Sequence, residues 1–202
     1  MKKRKIDYLM FRLQGRIVKI DPDIYYRIFN RRPENPAKYN DGITTIILAN
    51  GRYPTLVYGK VRPRRLLLSR FVMNAEDGQI VDHINRNPCD NRRCNLRFVT
   101  KRQNNLNRRC KNSSGFIGVN IKRKNGGYSC VAKFQCANGK ELTFRLPDSP
   151  ENRIVAAFAR DRFVLQQGEE NYAPLNFPCF KYEPFRSFLL EENLRKYKKR
   201  RI

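Results

Sequence analysis

Three Asn-Gly steps punctuate this chain of 202 residues: Asn50-Gly51, Asn125-Gly126-Gly127 and Asn138-Gly139. Each stands between two short runs of strand-forming residues. That combination marks antiparallel hairpins, because a type I′ turn needs positive φ at both central positions. The first turn joins residues 43–48 to 52–58, and Pro54 is expected to hold the second arm at a sheet edge. The other two turns join 116–122, 128–135 and 140–146 into a three-stranded sheet. Residues 8–13 and 16–20 form a further pair about Gly15.

Helices are signalled by their caps. Asp21-Pro22 supplies an N-cap and a first helical position, and Ile24, Tyr25, Ile28 and Phe29 share a face behind them. Residues 31–41 read as loop, and 64–73, apolar with basic interruptions, as helix. Ser149-Pro150-Glu151 opens a long helix that Gly168 ends. Ala156, Ala157 and Ala159 keep that helix thin enough for a sheet to approach, with Ile154, Phe158 and Leu165 as candidate core contacts. From Lys181 the chain is helix-prone and increasingly basic. The class expected is α+β.

The 43 Lys+Arg against 18 Asp+Glu leave a formal charge of +25. Such a charge repels itself unless a polyanion neutralises it. The basic residues are spread along the chain and not gathered on one amphipathic helix, so double-stranded DNA is expected in preference to acidic lipid. No apolar run approaches the roughly 20 residues of a spanning helix, and no apolar signal core follows the basic residues 1–5. A soluble, intracellular, DNA-associated protein without a small-molecule cofactor is expected. Six cysteines include no Cys-x-x-Cys pair and fit no ordinary zinc template; Cys89 and Cys94, which bracket a loop, are the pair to check.

The chain contains one histidine, His83, directly after Asp82. Its unperturbed pKa of about 6.5 lets it accept a proton near neutral pH. Residues 78–81 lead into it as a strand. A polar loop follows, then Asn95, a second short strand at Leu96, Phe98 and Thr100, and the capping box Thr100-x-x-Gln103. That box opens a helix through about Arg109, with Asn104 in its first turns. Asp82 and Asn104 offer hard oxygen ligands, and His83 offers a general base.

The order strand, loop, strand, capped helix, with the text Val81-Asp82-His83-Ile84-Asn85-Arg86-Asn87, Asn95-Leu96-Arg97-Phe98-Val99-Thr100 and Gln103-Asn104-Asn105, resembles the HNH endonucleases. The likeness is specifically to the His-Asn-Asn form common in phage-type homing enzymes. The resemblance implies a ββα-metal (His-Me finger) core and phosphodiester hydrolysis in DNA. It implies His83 as base, Asn95 as the residue that orients the imidazole, and one Mg²⁺ or Mn²⁺ held by Asp82 and Asn104. Asn105 is a rival ligand; Asn104 matches the family spacing. Ser69 stands where many relatives carry an upstream histidine, so His83 has no substitute.

Farther along, Gly118-Val119, the tight hairpins, the Ala-rich helix and Tyr172-Ala173-Pro174-Leu175-Asn176-Phe177-Pro178 resemble the ethylene-response-factor-type DNA-binding domain. In that family the sheet enters the major groove and the helix packs behind it. Alternation then turns Val119, Ile121, Tyr128, Cys130, Ala132, Phe134, Leu142, Phe144 and Leu146 inward. It turns Asn120, Lys122, Ser129, Val131, Lys133, Glu141, Thr143 and Arg145 outward, and of these Asn120, Lys122, Lys133, Thr143 and Arg145 are expected to contact DNA.

Four regions are expected: an N-terminal β-rich region at 1–60, a nuclease core at 61–112, a DNA-binding domain at 113–179 and a basic tail at 180–202. The polar linker 111–115 is the strongest boundary signal. The function expected is a site-specific homing-type endonuclease, nicking or cutting both strands, acting as a monomer or weak dimer in the host cytoplasm if phage-encoded. The alternative is a non-catalytic sequence-specific DNA-binding regulator.

Overall fold

The computed structural model describes residues 7–29, 42–108, 112–124 and 126–198. The loop expected at 31–41, Arg109, Cys110, Asn125 of the second Asn-Gly turn and the last tail residues lie outside them; the helix expected to run through about Arg109 ends at Leu106. Among the described residues, ten strands and five α-helices make a mixed fold of small antiparallel sheets, in two compact units, Met1–Asn104 and Asn105–Ile202.

In the first unit, β1 (Leu9–Leu13) and β2 (Arg16–Ile20) form a hairpin about Gln14 and Gly15, both at positive φ. Helix α1 (Pro22–Phe29) follows and buries Ile24 and Ile28. Strands β3 (Ile43–Ala49), β4 (Tyr53–Tyr58) and β5 (Arg64–Leu67) make a three-stranded sheet in that order, with Asn50 and Gly51 at the positive φ their turn demands. One core serves these elements, with Val18, Ile20, Ile24, Ile28, Leu56, Leu68 and Leu96 at its centre.

Two expectations are corrected here. Residues 64–67 are strand, and only α2 (Leu68–Val72) is helical. Pairing with β4 outweighs the weak helical pattern of so short a run. β4 is consequently a middle strand, and Pro54 is not at an edge. Its missing N–H is tolerated because β5 pairs only from Thr55 onward.

The hairpin β6 (Ile80–His83) and β7 (Leu96–Val99) leads into α3 (Lys101–Leu106). The capping box forms in full: Gln103 N donates to Thr100 Oγ1 at 3.2 Å, and Thr100 N donates to Gln103 Oε1 at 2.9 Å.

The second unit holds the sheet of β8 (Val119–Lys124), β9 (Gly127–Gln135) and β10 (Glu141–Pro147), with β9 central. Helix α4 (Pro150–Gln166) packs on one face, capped by Ser149 Oγ, which accepts from Asn152 N at 3.1 Å. Ala156, Ala157 and Ala159 are fully or almost fully buried, as their small size promised. A buried pair stitches the unit together. Asp161 Oδ1 and Oδ2 accept from Asn176 N and Phe177 N at 3.0 and 2.9 Å, beside Arg160, and Asn176 Oδ1 accepts from Ile117 N at 2.7 Å. Gly118, at φ +70°, sits where an added Cβ would lie 2.9 Å from Arg160 Cγ and 3.2 Å from the Lys133 carbonyl oxygen. Helix α5 (Phe185–Glu191) follows.

Alternation misplaces Tyr128 and Val131, and the helix reading misplaces Ile154. Tyr128, at the hairpin end of β9, is 60% exposed, and Ile154 on α4 is 41% exposed. Val131 is fully buried; it lies on the middle strand between its cross-strand partners Asn120 and Arg145.

Candidate active site

Asp82 and His83 are the last two residues of β6, and in the hairpin they face Arg97 and Leu96. Asp82 is buried at 8% exposure. Arg97 Nε and Nη2 donate to its Oδ2 at 3.0 and 2.8 Å, so the carboxylate is fixed from across the hairpin.

The loop between the strands is tied to itself by short polar side chains. Asn95 is buried; its Oδ1 accepts from Asn85 N at 3.0 Å, and its Nδ2 donates to Asn85 Oδ1 at 3.0 Å and to the Asp90 carbonyl at 2.8 Å. Asp90 accepts from Arg92 Nε and Nη2, each at 2.7 Å, and this guanidinium holds its carboxyl below the usual carboxylate range. Asn91 is hydrogen-bonded to the imidazole, with Oδ1 3.2 Å from His83 Nε2. Asn95, expected to orient the ring, closes the loop that carries Asn91.

This contact favours one tautomer of the imidazole. Asn91 Nδ2 donates to the Pro88 carbonyl at 2.9 Å, so the atom facing the ring is the amide oxygen. An amide oxygen only accepts, so Nε2 carries the hydrogen and the basic lone pair resides on Nδ1. Burial pushes the His83 pKa below 6.5; the Asn91 contact and the charges of Asp82 and Asp90 oppose this without cancelling it. The ring is therefore neutral at pH 7, as a general base must be.

The loop is braced from the N-terminal side of the unit. Lys19 on β2 forms a bridge with Asp90: Lys19 N donates to the Cys89 carbonyl at 2.8 Å, and Asn91 N donates to the Lys19 carbonyl at 2.9 Å. Arg93 N donates to Asp21 Oδ2 at 2.9 Å, and its guanidinium makes a two-pronged pair with Asp23 at 2.8 and 2.6 Å. The backbone of the residue that orients the histidine is thus held by a strand far away in sequence.

Asn104 lies half-buried on α3, where its N–H bonds to the Thr100 carbonyl at 3.0 Å. Its side chain makes no hydrogen bond among the described residues. A fixed carboxylate and an amide oxygen without a protein partner suit a hard divalent cation, which keeps several waters of its own. Of the pair Cys89 and Cys94, the first is buried and the second exposed, and burial pushes the Cys89 thiol up. Among the described residues no cluster of three His, Cys, Asp or Glu side chains is placed to hold a metal.

In the second unit, Asn120, Lys122, Thr143 and Arg145 are exposed on the sheet. Lys133 is half-buried and paired with Glu141, whose Oε1 also accepts from Thr143 Oγ1 at 3.3 Å. Three residues of the first unit escaped the sequence reading: Asn91, Asp90 and Arg97. Only the cross-strand register, which sets Arg97 opposite Asp82, could have revealed one of them.

Residues 74–106 match the family described as HNH endonuclease, and that span contains Asp82, His83, Asn95 and Asn104. The match supports a nuclease function, a hydrolase acting on DNA. No curated protein and no solved structure matches the chain. No helix among the described residues is long and apolar enough to cross a membrane.

Proposed function

We propose that this chain is a site-specific DNA endonuclease of the homing class. It hydrolyses one phosphodiester bond per active site with His83 as general base. The observation that carries this reading is the imidazole itself: half-buried, held at Nε2 by Asn91, and adjacent to a buried carboxylate. His83 Nδ1 takes a proton from water as the water oxygen bonds to phosphorus, and the opposite bond to the 3′-oxygen breaks. The proton returns to solvent, and the departing oxygen is protonated to a hydroxyl. Asp82 and Asn104 would hold one Mg²⁺ or Mn²⁺. When bound, that ion neutralises charge on the phosphate and the leaving oxygen. Arg97 keeps the Asp82 carboxylate in place.

Sequence reading is assigned to the sheet of the second unit, through Asn120, Lys122, Lys133, Thr143 and Arg145, in the manner of the ethylene-response-factor-type domain it resembles. Lys133 serves there only once DNA phosphate displaces Glu141.

The test is nicking of supercoiled plasmid in Mg²⁺. His83→Ala should slow nicking by about 10²–10⁴-fold while duplex binding persists. Equal rates for the two proteins would leave only a DNA-binding regulator.

A further inference from the structure

The segment Gly59-Lys60-Val61-Arg62-Pro63 links β4 to β5, and Arg64 and Arg65 begin β5. Every residue from 59 to 65 is exposed, and Val61, at 94%, is the most exposed large hydrophobic residue described. The chain has few carboxylates and directs them to cations that build the fold. Arg92, Arg93, Arg97, Arg153, Arg160 and Arg186 each pair with one. Among the described residues the side chains of Lys60, Arg62, Arg64 and Arg65 make no ion pair, hydrogen bond or ring contact.

The loop is not a loose tether. Its base is the Tyr58–Arg64 pair, and β4 buries Leu56 and Val57 behind it. Four cations and one apolar tip are therefore presented on a framed, narrow hairpin end. A two-stranded ribbon needs the major groove, about 12 Å wide, but a single loop tip fits the minor groove, about 6 Å wide. Basic side chains flanking an apolar residue are the means by which proteins hold that groove: the cations take phosphates of both strands and the apolar group meets the base edges.

We propose that the β4–β5 loop is a second DNA-binding element, which docks its tip in the minor groove of the duplex. It rests on the DNA substrate of the nuclease reading and not on its chemistry. β4 starts beside Arg52, whose carbonyl lies 4.0 Å from Cys89 Sγ in the loop that follows His83, and runs from there to the β4–β5 loop. Six residue steps at about 3.3 Å make about 20 Å, or about six base pairs of duplex.

The test uses a labelled mixed-sequence duplex of about three helical turns, with chelator present so that nothing is cleaved. The fourfold variant Lys60→Ala, Arg62→Ala, Arg64→Ala, Arg65→Ala should keep its melting temperature. It should lower the slope of log affinity against log salt by about 3 to 4, near 0.9 per lost phosphate contact. Val61→Ser should weaken binding several-fold with the slope unchanged. Distamycin, which fills the minor groove, should compete with the wild-type loop and lose that effect on the fourfold variant. An unchanged slope in the fourfold variant overturns the proposal, and so does equal competition by distamycin in both proteins. Plasmid nicking by the wild type and by His83→Ala, measured separately, decides the nuclease reading whichever way the loop falls.

Discussion

His83 carries both the proposed chemistry and a pH signature. Burial lowers its pKa in the folded chain below 6.5, so the acid limb of kcat/KM should lie below that value. The same shift acts on stability. Below about pH 6.5 the unfolded chain takes up a proton that the folded one refuses, so stability falls as pH drops through that window and is unaffected above it. Urea midpoints at about pH 5.5 and pH 7.5 check this; His83→Gln should flatten the difference. Asn91→Ala frees the ring to change tautomer and should lower kcat by about 10–100-fold, the usual cost of losing a partner behind a working residue. It also removes a contact that raises the pKa, so the acid limb should move further down; an upward move would contradict the assignment of Nε2. Asp82, His83, Asn95 and Asn104 stand out in the sequence because they sit at fixed places in a spaced motif. Asn91 does not: among Asn85, Asn87, Pro88 and Asp90 it looks like one more turn residue, and no periodicity separates it from them.

The hairpins were legible as elements because Asn-Gly steps report a backbone need directly, and the capping box at Thr100 did the same for α3. Strand β5 was not legible, because its pattern is decided by pairing with β4 and not by its own four residues. The brace of β2 and the start of α1 against the loop at 89–93 was likewise silent, since it runs mostly through backbone groups. Its side-chain part is testable. Arg93→Ala should lower kcat several-fold at saturating DNA with KM little changed, because it loosens the loop behind the imidazole and leaves the nucleotide contacts alone. Exchanging the charges, with Arg93→Asp and Asp23→Arg together, should restore part of the loss; a purely local folding defect would not respond to the exchange. In the other unit, Gly118→Ala forces a Cβ against Arg160 and the Lys133 carbonyl at positive φ. It should cost about 1–3 kcal/mol, read as a drop in that unit's melting temperature.

For the whole molecule, the formal charge of +25 made a nucleic-acid partner legible at once, but charge says nothing about which surface meets it. Binding and cutting should separate cleanly. A chelator should abolish nicking and leave duplex affinity within a few-fold, because phosphate neutralisation by Lys and Arg does not need the ion; salt should do the reverse, weakening affinity steeply. Retained nicking in excess chelator would remove the metal from the proposal.

The bridge between Lys19 and Asp90 also limits how this nuclease could be borrowed. A graft of the hairpin and α3 alone, moved into another scaffold, would arrive without the strand that steadies its histidine. A transplant has to bring the amino-terminal hairpin with it, so inheritance and engineering alike would have to treat the two segments as one cassette.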